Sequence, residues 1–144
     1  MKRTIEEIRE FFAQDRFATK RAGIEINDAI QGTDGHGVMA RCSMAITPDH
    51  LNVGGTVMGG AIITLADFCF AVLTNAWDEV SSTVTVSASI RFVGVAKGTR
   101  LTGTAETDKS GRTLIHAHCR VEDELGNLVA ICDATFMRIR QSAK

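Results

Sequence analysis

One carboxylate interrupts the longest apolar segment of the chain. The segment Gly55–Ala76 reads GTVMGGAIITLADFCFAVLTNA, and Asp67 is the only residue with a formal charge between His50 and Asp78. A carboxylate among apolar neighbours is costly unless it is hydrogen-bonded, paired or placed at an exposed interface. Two interpretations follow: Asp67 bonds to a neighbouring strand, or it is a general base or nucleophile whose pKa is set by its surroundings.

A glycine-rich loop comes shortly before this carboxylate. Four of the seven residues from Gly54 to Gly60 are glycine. Glycine lets a backbone approach a ligand closely, and a helix that begins here presents unpaired N–H groups and the positive end of its dipole. The N–H groups of Gly59 and Gly60 could therefore stabilise an oxyanion. The alternative is a tight loop in which the glycines are needed only for their positive φ angles. The lysine of a P-loop is missing, which excludes that type of site.

Asn52 stands just ahead of this loop. Its amide could donate a hydrogen bond into the same pocket. An asparagine before glycine is also a common turn residue, so both interpretations stay open.

The elements that must position these residues are predicted from periodicity. Thr4 and Glu7 form a capping-box pattern at the start of a helix predicted over 4–18. A second helix is predicted over 58–76; it is apolar all round, so we expect it to be buried nearly all round. Alternating or β-branched patterns predict strands near 23–30, 36–47, 81–95, 98–111, 112–123 and 128–140.

This order predicts an α+β fold in one domain over residues 1–144. An antiparallel sheet of about six strands would wrap around the long central helix, with residues 1–20 as an N-terminal helical segment. So short a domain rarely covers a helix on every side, and we therefore expect a second copy of the chain to cover the remaining face.

Composition excludes several other classes of protein. The 144 residues carry a net charge of -1, which gives no general argument for a nucleic-acid partner. The N-terminus is too charged for a signal peptide, and a central aspartate costs roughly 2.5–3.5 kcal/mol in a membrane helix. Four scattered cysteines without a CxxC pair indicate free thiols in a reducing cytoplasm, and no metal site is expected.

The combined motif resembles a known family. The run Asn52-x-x-Gly55-Thr56-x-Met58-Gly59-Gly60, followed by Asp67, is similar to the hotdog-fold acyl-CoA thioesterases of the phenylacetic-acid-degradation type. The stretches VTVSASIRFVGVAKG, KSGRT and DELGNLVAICDATF extend the resemblance over most of the chain beyond residue 30. The resemblance implies a long helix wrapped by an antiparallel sheet, and a homodimer that is commonly doubled to a homotetramer.

The same resemblance implies roles for particular residues. Asp67 would attack the thioester or activate water, and the Gly59 N–H would be the oxyanion donor. Asn52 would position the nucleophile or the thioester, and Thr85 lies where some members carry a residue that helps to position the water. The site would be shared, with Asp67 facing Asn52 and Gly59 of the partner subunit.

One departure from the family pattern falls in the site itself. Met58 occupies the position of the usual histidine, and methionine cannot donate a hydrogen bond. Met58 and Gly60 are expected to contact the substrate, with hydrolysis retained, slower, or directed to a different acyl group.

Basic side chains could hold the phosphates of CoA. Lys97, Lys109 and Arg112 fall in two turns that resemble the CoA-contacting segments of the family, and solvated turn charges are the alternative. CoA belongs to the substrate, so no separate cofactor is expected.

The sequence therefore predicts a cytoplasmic acyl-CoA thioesterase that releases a free acid and CoA. One alternative is a non-catalytic protein that binds or senses acyl-CoA. A hotdog hydratase is a second alternative, but it usually needs a histidine on or near the long helix, and none lies between His50 and His116. His116 and His118 share one strand face and are interpreted as surface polar residues rather than metal ligands.

Overall fold

A computed structural model describes residues 2–77 and 81–140 of the chain. The predicted single domain over 1–144 also includes Met1, residues 78–80 and residues 141–144, which lie outside the described residues.

The N-terminal helix α1 spans Ile5–Phe12 and begins with the predicted capping box. The Thr4 hydroxyl accepts from the Glu7 N–H at 3.2 Å, and the Glu7 carboxylate accepts from the Thr4 N–H at 2.7 Å. The prediction that this helix continues to residue 18 was wrong. The large side chains that are buried stop at Phe12, and the chain turns before a short π-helical turn, Phe17–Arg21, brings Ala18 into the core.

Six strands form one antiparallel sheet in the order β1-β2-β4-β5-β6-β3. They are β1 (Ile24–Gln31), β2 (Gly37–Ala45), β3 (Ser81–Phe92), β4 (Arg100–Ser110), β5 (Leu114–Asp123) and β6 (Leu128–Arg140). The predicted number of strands and their antiparallel pairing are confirmed. After β2, Pro48 opens a short 3₁₀ turn, Pro48–His50.

The long helix α2 spans Gly59–Asn75 and packs against one face of the sheet. Side chains along β4 and β5 alternate between buried and more exposed, and the buried ones face the helix. Small residues on the sheet let the helix come close. The Cys69 thiol donates to the carbonyls of Ala40 at 3.3 Å and Gly103 at 3.4 Å. The core therefore lies between α2 and the inner face of the sheet.

Strand β3 is the edge of the sheet next to β6. Within the described residues it pairs on one side only, with β6, so its other edge carries free backbone groups. Several of its apolar side chains are exposed, including Val84, Val86 and Phe92. A long, flat, apolar edge strand is a template for pairing with another chain.

Candidate active site

The glycine-rich loop before α2 is closed by Asn52. The side-chain oxygen Oδ1 of Asn52 accepts from the N–H groups of Gly54 at 2.9 Å and Thr56 at 3.2 Å, while its side-chain amide donates to the Thr56 hydroxyl at 2.9 Å. Gly55, in the middle of the loop, has a φ of 80°, a conformation that favours glycine. Asn52 fixes the shape of the loop, and within the described residues its side-chain hydrogen bonds all go to residues of this loop.

Helix α2 begins at Gly59 with Met58 as its N-cap residue. The Met58 side chain makes no capping hydrogen bond and is 57% exposed, while its N–H donates to the His50 carbonyl at 2.8 Å. A helix leaves its first N–H groups without intrahelical partners, and within the described residues nothing accepts from the N–H of Gly59 or Gly60. Two donors are thus free at the positive end of the α2 dipole.

The ring of Phe92, at the end of β3, lies against Gly59. A Cβ atom placed on Gly59 would lie 3.1 Å from Cζ of that ring, whereas a Cβ on Gly60 would meet open space. Glycine at position 59 therefore lets the start of α2 sit beside Phe92. Sequence reasoning did not single out Phe92, because no local pattern links it to a residue 33 positions earlier.

One stripe of α2 stays open to solvent, so the expectation that this helix is buried nearly all round was wrong. Gly60, Ile63 and Asp67 are exposed, while Ile62, Leu65, Ala66, Phe68 and Cys69 are buried. These exposed positions recur with the spacing of one helix face. Asp67 is therefore on the open side of the helix, with apolar neighbours on the buried side.

The surroundings of Asp67 favour its neutral form. Although Asp67 is on the exposed stripe, its carboxyl is partly buried; this partial burial raises its pKa above the usual range, and the charge of Asp15 raises it further. A carboxylate whose proton affinity is raised is a better base or nucleophile near neutral pH than an ordinary aspartate.

Asp67 and the free N–H groups at the start of α2 lie on the same helix but far apart. Asp67 is eight residues beyond Gly59, which at 1.5 Å per residue places it about 12 Å along the helix axis. A thioester carbonyl is much smaller than this separation. A single chain therefore does not bring the predicted carboxylate and the predicted oxyanion donor to the same carbonyl group.

The other predicted site residues occupy separate places. Thr85 is exposed on β3 beside an irregularity between Thr85 and Ser87 in the pairing with β6. Lys97 precedes β4, whereas Lys109 and Arg112 lie at the far end of that strand. At roughly 3.3 Å per residue the strand is about 35 Å long. A single chain does not gather these three basic side chains into one cluster.

The polar residues of the outer sheet face form their own contacts. His118 Nδ1 lies 2.6 Å from Asp108 Oδ1, and His116 Nδ1 lies 3.1 Å from the Thr135 hydroxyl. Over residues 2–77 and 81–140, no three His, Cys, Asp or Glu side chains converge as metal ligands.

The structure also contains a carboxylate network that the sequence analysis did not single out. Buried Asp123 accepts from the N–H groups of Lys97 at 2.8 Å, Gly98 at 3.1 Å, Leu125 at 3.0 Å and Asn127 at 2.9 Å. Burial alone would raise the pKa of Asp123, but these hydrogen bonds and one from the Asn127 amide hold it far below the usual range. The turn residues around Asp123 were a usable signal, since aspartate commonly accepts from N–H groups of a turn that follows it.

Comparison with known proteins identifies the class to which this chain and its fold belong. Residues 54–130, more than half of the chain, match the thioesterase superfamily. A Deinococcus radiodurans protein named "Putative esterase" is 32% identical over 101 residues, which are 69% of this chain and 68% of that protein. A protein of the same name from Archaeoglobus fulgidus is 26% identical over 103 residues, or 71% of this chain and 66% of that one. The chain spans about two thirds of the length of these curated relatives.

Solved structures share the whole architecture. A thioesterase of Haemophilus influenzae superposes with a TM-score of 0.81 at 17% identity, over 97% of this chain and 93% of that one. The PaaI protein of the E. coli phenylacetic acid degradation operon gives 0.78 at 21% identity, over 98% and 100% of the two chains. The chain belongs to the thioesterase superfamily, and its α+β architecture is the hotdog thioesterase fold.

None of the described helices combines the length and the apolar character needed to cross a membrane.

Proposed function

We propose that this protein is an acyl-CoA thioesterase of the phenylacetic-acid-degradation type, which hydrolyses an acyl- or aryl-acyl-CoA to a free acid and CoA. One observation carries the proposal: a lone carboxylate with a raised pKa lies on the open stripe of a helix whose first N–H groups are free. Membership of the thioesterase superfamily gives this pair of features its chemical interpretation.

In the proposed reaction the Asp67 carboxylate acts as base or nucleophile, and the free N–H groups stabilise the negative charge that develops on the substrate. Asp67 either takes a proton from water, which then attacks the thioester carbon, or attacks that carbon itself to form an anhydride that water hydrolyses. In both routes the carbonyl oxygen becomes negatively charged. The N–H groups of Gly59 and Gly60 would donate to that oxygen, and the CoA thiolate leaves when the C–S bond breaks. No cofactor is needed for either route.

The proposed site is completed by a second copy of the chain. The separation of about 12 Å along α2 keeps Asp67 from meeting Gly59 of its own protomer at one carbonyl. The exposed, half-paired edge of β3 offers the surface for a two-fold dimer, and Phe92 at its end lies against Gly59. In such a dimer Asp67 would work with Asn52 and Gly59 of the partner subunit, with Thr85 positioning the water. The pairing of two dimers into a tetramer is part of the same proposal.

The CoA part of the substrate would bind to basic side chains at the rim of the site. We assign its phosphates to Lys97, Lys109 and Arg112, with Met58 and Gly60 in contact with the substrate at the start of α2. Because Lys97 lies far from the other two along β4, these contacts would come from more than one protomer.

A reducing compartment such as the cytoplasm suits the cysteines. All four are free thiols buried in the described fold, so stability does not depend on an oxidising environment.

The test is the release of CoA from a panel of acyl-CoA substrates, followed with a thiol reagent. Asp67→Asn and Asp67→Ala should lower kcat/KM by at least about a hundredfold, the usual contribution of a general base. Asp34→Asn is the matched control: Asp34 is exposed, and asparagine can still accept from the His36 N–H. Wild-type rates in the Asp67 variants would refute the assignment.

A non-catalytic acyl-CoA binding protein is the second candidate, and Met58 favours it. At the start of α2 this exposed side chain offers no hydrogen-bond donor. Binding of acyl-CoA without release of CoA from any substrate would support this candidate. In the same assay, release of CoA by Met58→His alone would show that the methionine suppresses an otherwise complete site.

A further inference from the structure

The chain between α1 and β1 passes over α2 next to Asp67. Phe12, at the end of α1, is buried and meets Phe68 edge-on, with ring centroids 5.8 Å apart and an interplanar angle of 84°. Phe68 directly follows Asp67 in the sequence. The π-helical turn Phe17–Arg21 also packs against α2. Asp15 thus lies between two points at which the N-terminal segment touches the helix.

Local hydrogen bonds hold the backbone of Asp15 in this position. Its N–H donates to the Phe12 carbonyl at 3.0 Å. Its carbonyl accepts from the Thr19 N–H and the Thr19 hydroxyl, each at 3.0 Å. The Asp15 side chain is exposed, while its backbone is held by these hydrogen bonds.

The charged groups around Asp67 come from three parts of the fold. Helix α2 itself carries no other formal charge. The Cys132 thiol on β6 is near enough for the charge of Asp67 to help raise its pKa, after burial and Asp133, to about 11. On the N-terminal segment the charge of Asp15 adds to the effect of burial in raising the Asp67 pKa. The basic residues Arg16, Lys20 and Arg21 follow Asp15 on the same segment.

We infer that Asp15 is a positioning residue of the site: an N-terminal carboxylate, fixed over α2 by the Phe12–Phe68 contact, that tunes the reactivity of Asp67. The inference rests on the proposed function of Asp67. A like charge nearby disfavours ionisation, so Asp67 binds its proton more tightly and is the stronger base once it is ionised. Asp15 precedes the region matched by the superfamily, residues 54–130, so this tuning comes from the N-terminal segment of this chain.

The first experiment measures Asp67 without relying on turnover. The Asp67 carboxyl carbon is titrated by NMR in the full chain, with its signal assigned by its loss in Asp67→Asn. Asp15→Asn should move the Asp67 titration to lower pH, whereas Asp34→Asn and Asp15→Glu should leave it near the wild-type position. An unchanged titration in Asp15→Asn would overturn the inference, whatever the activity of the protein.

The second experiment is the pH profile of kcat/KM. In Asp15→Asn the acid limb should shift to lower pH, so that activity on the acid side of the wild-type midpoint rises while the plateau stays equal or falls slightly. High salt should reduce the difference from wild type, because the Debye length shortens from about 10 Å at 0.1 M to about 3 Å at 1 M. A uniform loss at every pH with no shift would mean a merely structural role and would contradict the inference. If no acyl-CoA is hydrolysed, the proposed function fails, and the NMR titration still decides the role of Asp15.

Discussion

At the scale of single residues, Gly59 combines two properties that a substitution can separate. Its N–H is one of the free donors at the start of α2, and its missing side chain leaves room for the Phe92 ring. Proline is well tolerated at the first position of a helix, and Met58 has φ -62° and ψ 138°, a conformation that a following proline accepts. Gly59→Pro therefore removes the donor while α2 can still begin at the same residue.

We expect Gly59→Pro to lower kcat by about 10²–10³ relative to Gly59→Ala, the usual cost of one oxyanion donor. Both variants add a Cβ next to Phe92, but only proline removes the N–H. The measurement is kcat for both variants on the best acyl-CoA, with circular dichroism as the check on folding. Equal kcat values in the two variants would show that the Gly59 N–H is not the oxyanion donor. Adding Phe92→Leu to each variant relieves the steric contact and should leave the ratio between them unchanged.

At the scale of elements, Asp123 ties two connections together. Its carboxylate, at the end of β5, accepts from the backbone between β3 and β4 and from the turn between β5 and β6. Glu124 adds bonds to the N–H groups of Thr99 at 2.5 Å and Arg100 at 2.8 Å. These bonds fix the segment that runs from Phe92 to β4, and with it the place of Lys97.

The pH dependence of the thermal stability should show the contribution of the hydrogen bonds that the Asp123 carboxylate accepts. Because the folded-state pKa of Asp123 is lowered, its stabilisation is present above the unfolded value of about 3.9 and is lost as pH falls below it. Asp123→Asn should therefore lower Tm clearly at pH 7, and the difference from wild type should shrink as the pH falls below about 4. Thermal unfolding between pH 3 and pH 7 is the measurement, with Asp34→Asn as control. A difference that is independent of pH would contradict the role of the charged carboxylate.

At the scale of the whole molecule, the separation on α2 makes the proposed site a property of two chains. Asp67→Asn and Gly59→Pro each damage every site of a homodimer. In a mixed two-fold dimer, one site combines both damaged residues, and the other combines an intact Asp67 with an intact Gly59. Co-expression of the two variants in equal amounts should therefore restore about a quarter of the wild-type rate.

Activity is measured on the mixed protein and on each variant alone, and light scattering reports the oligomeric state. If both residues acted from the same protomer, every chain in the mixture would lack one of them, and no activity would return. A monomeric wild-type enzyme with full activity would also contradict the shared site.

Local patterns in the sequence were sufficient for much of the fold. Each of three patterns is formed by residues that are close in sequence: the Thr4–Glu7 capping box, the period-two strands and the apolar helix. Each could therefore be predicted directly, and the structure confirms them. The end of α1 could not be located, because residues 13–18 still permit a helix; in the structure the helix ends at Phe12, and Ala18 packs into the core from the turn that follows.

The sequence by itself determined the residue types of the candidate site and their order along the chain: a glycine-rich loop, a helix start and one carboxylate two turns later. Only the tertiary structure decided which stripe of α2 stays open, that Asn52 closes the loop, that Phe92 lies on Gly59 and that Phe12 packs against Phe68. Those contacts join residues up to 56 positions apart. They exist because many apolar side chains are buried at once between α2 and the sheet, and no short stretch of sequence carries that information.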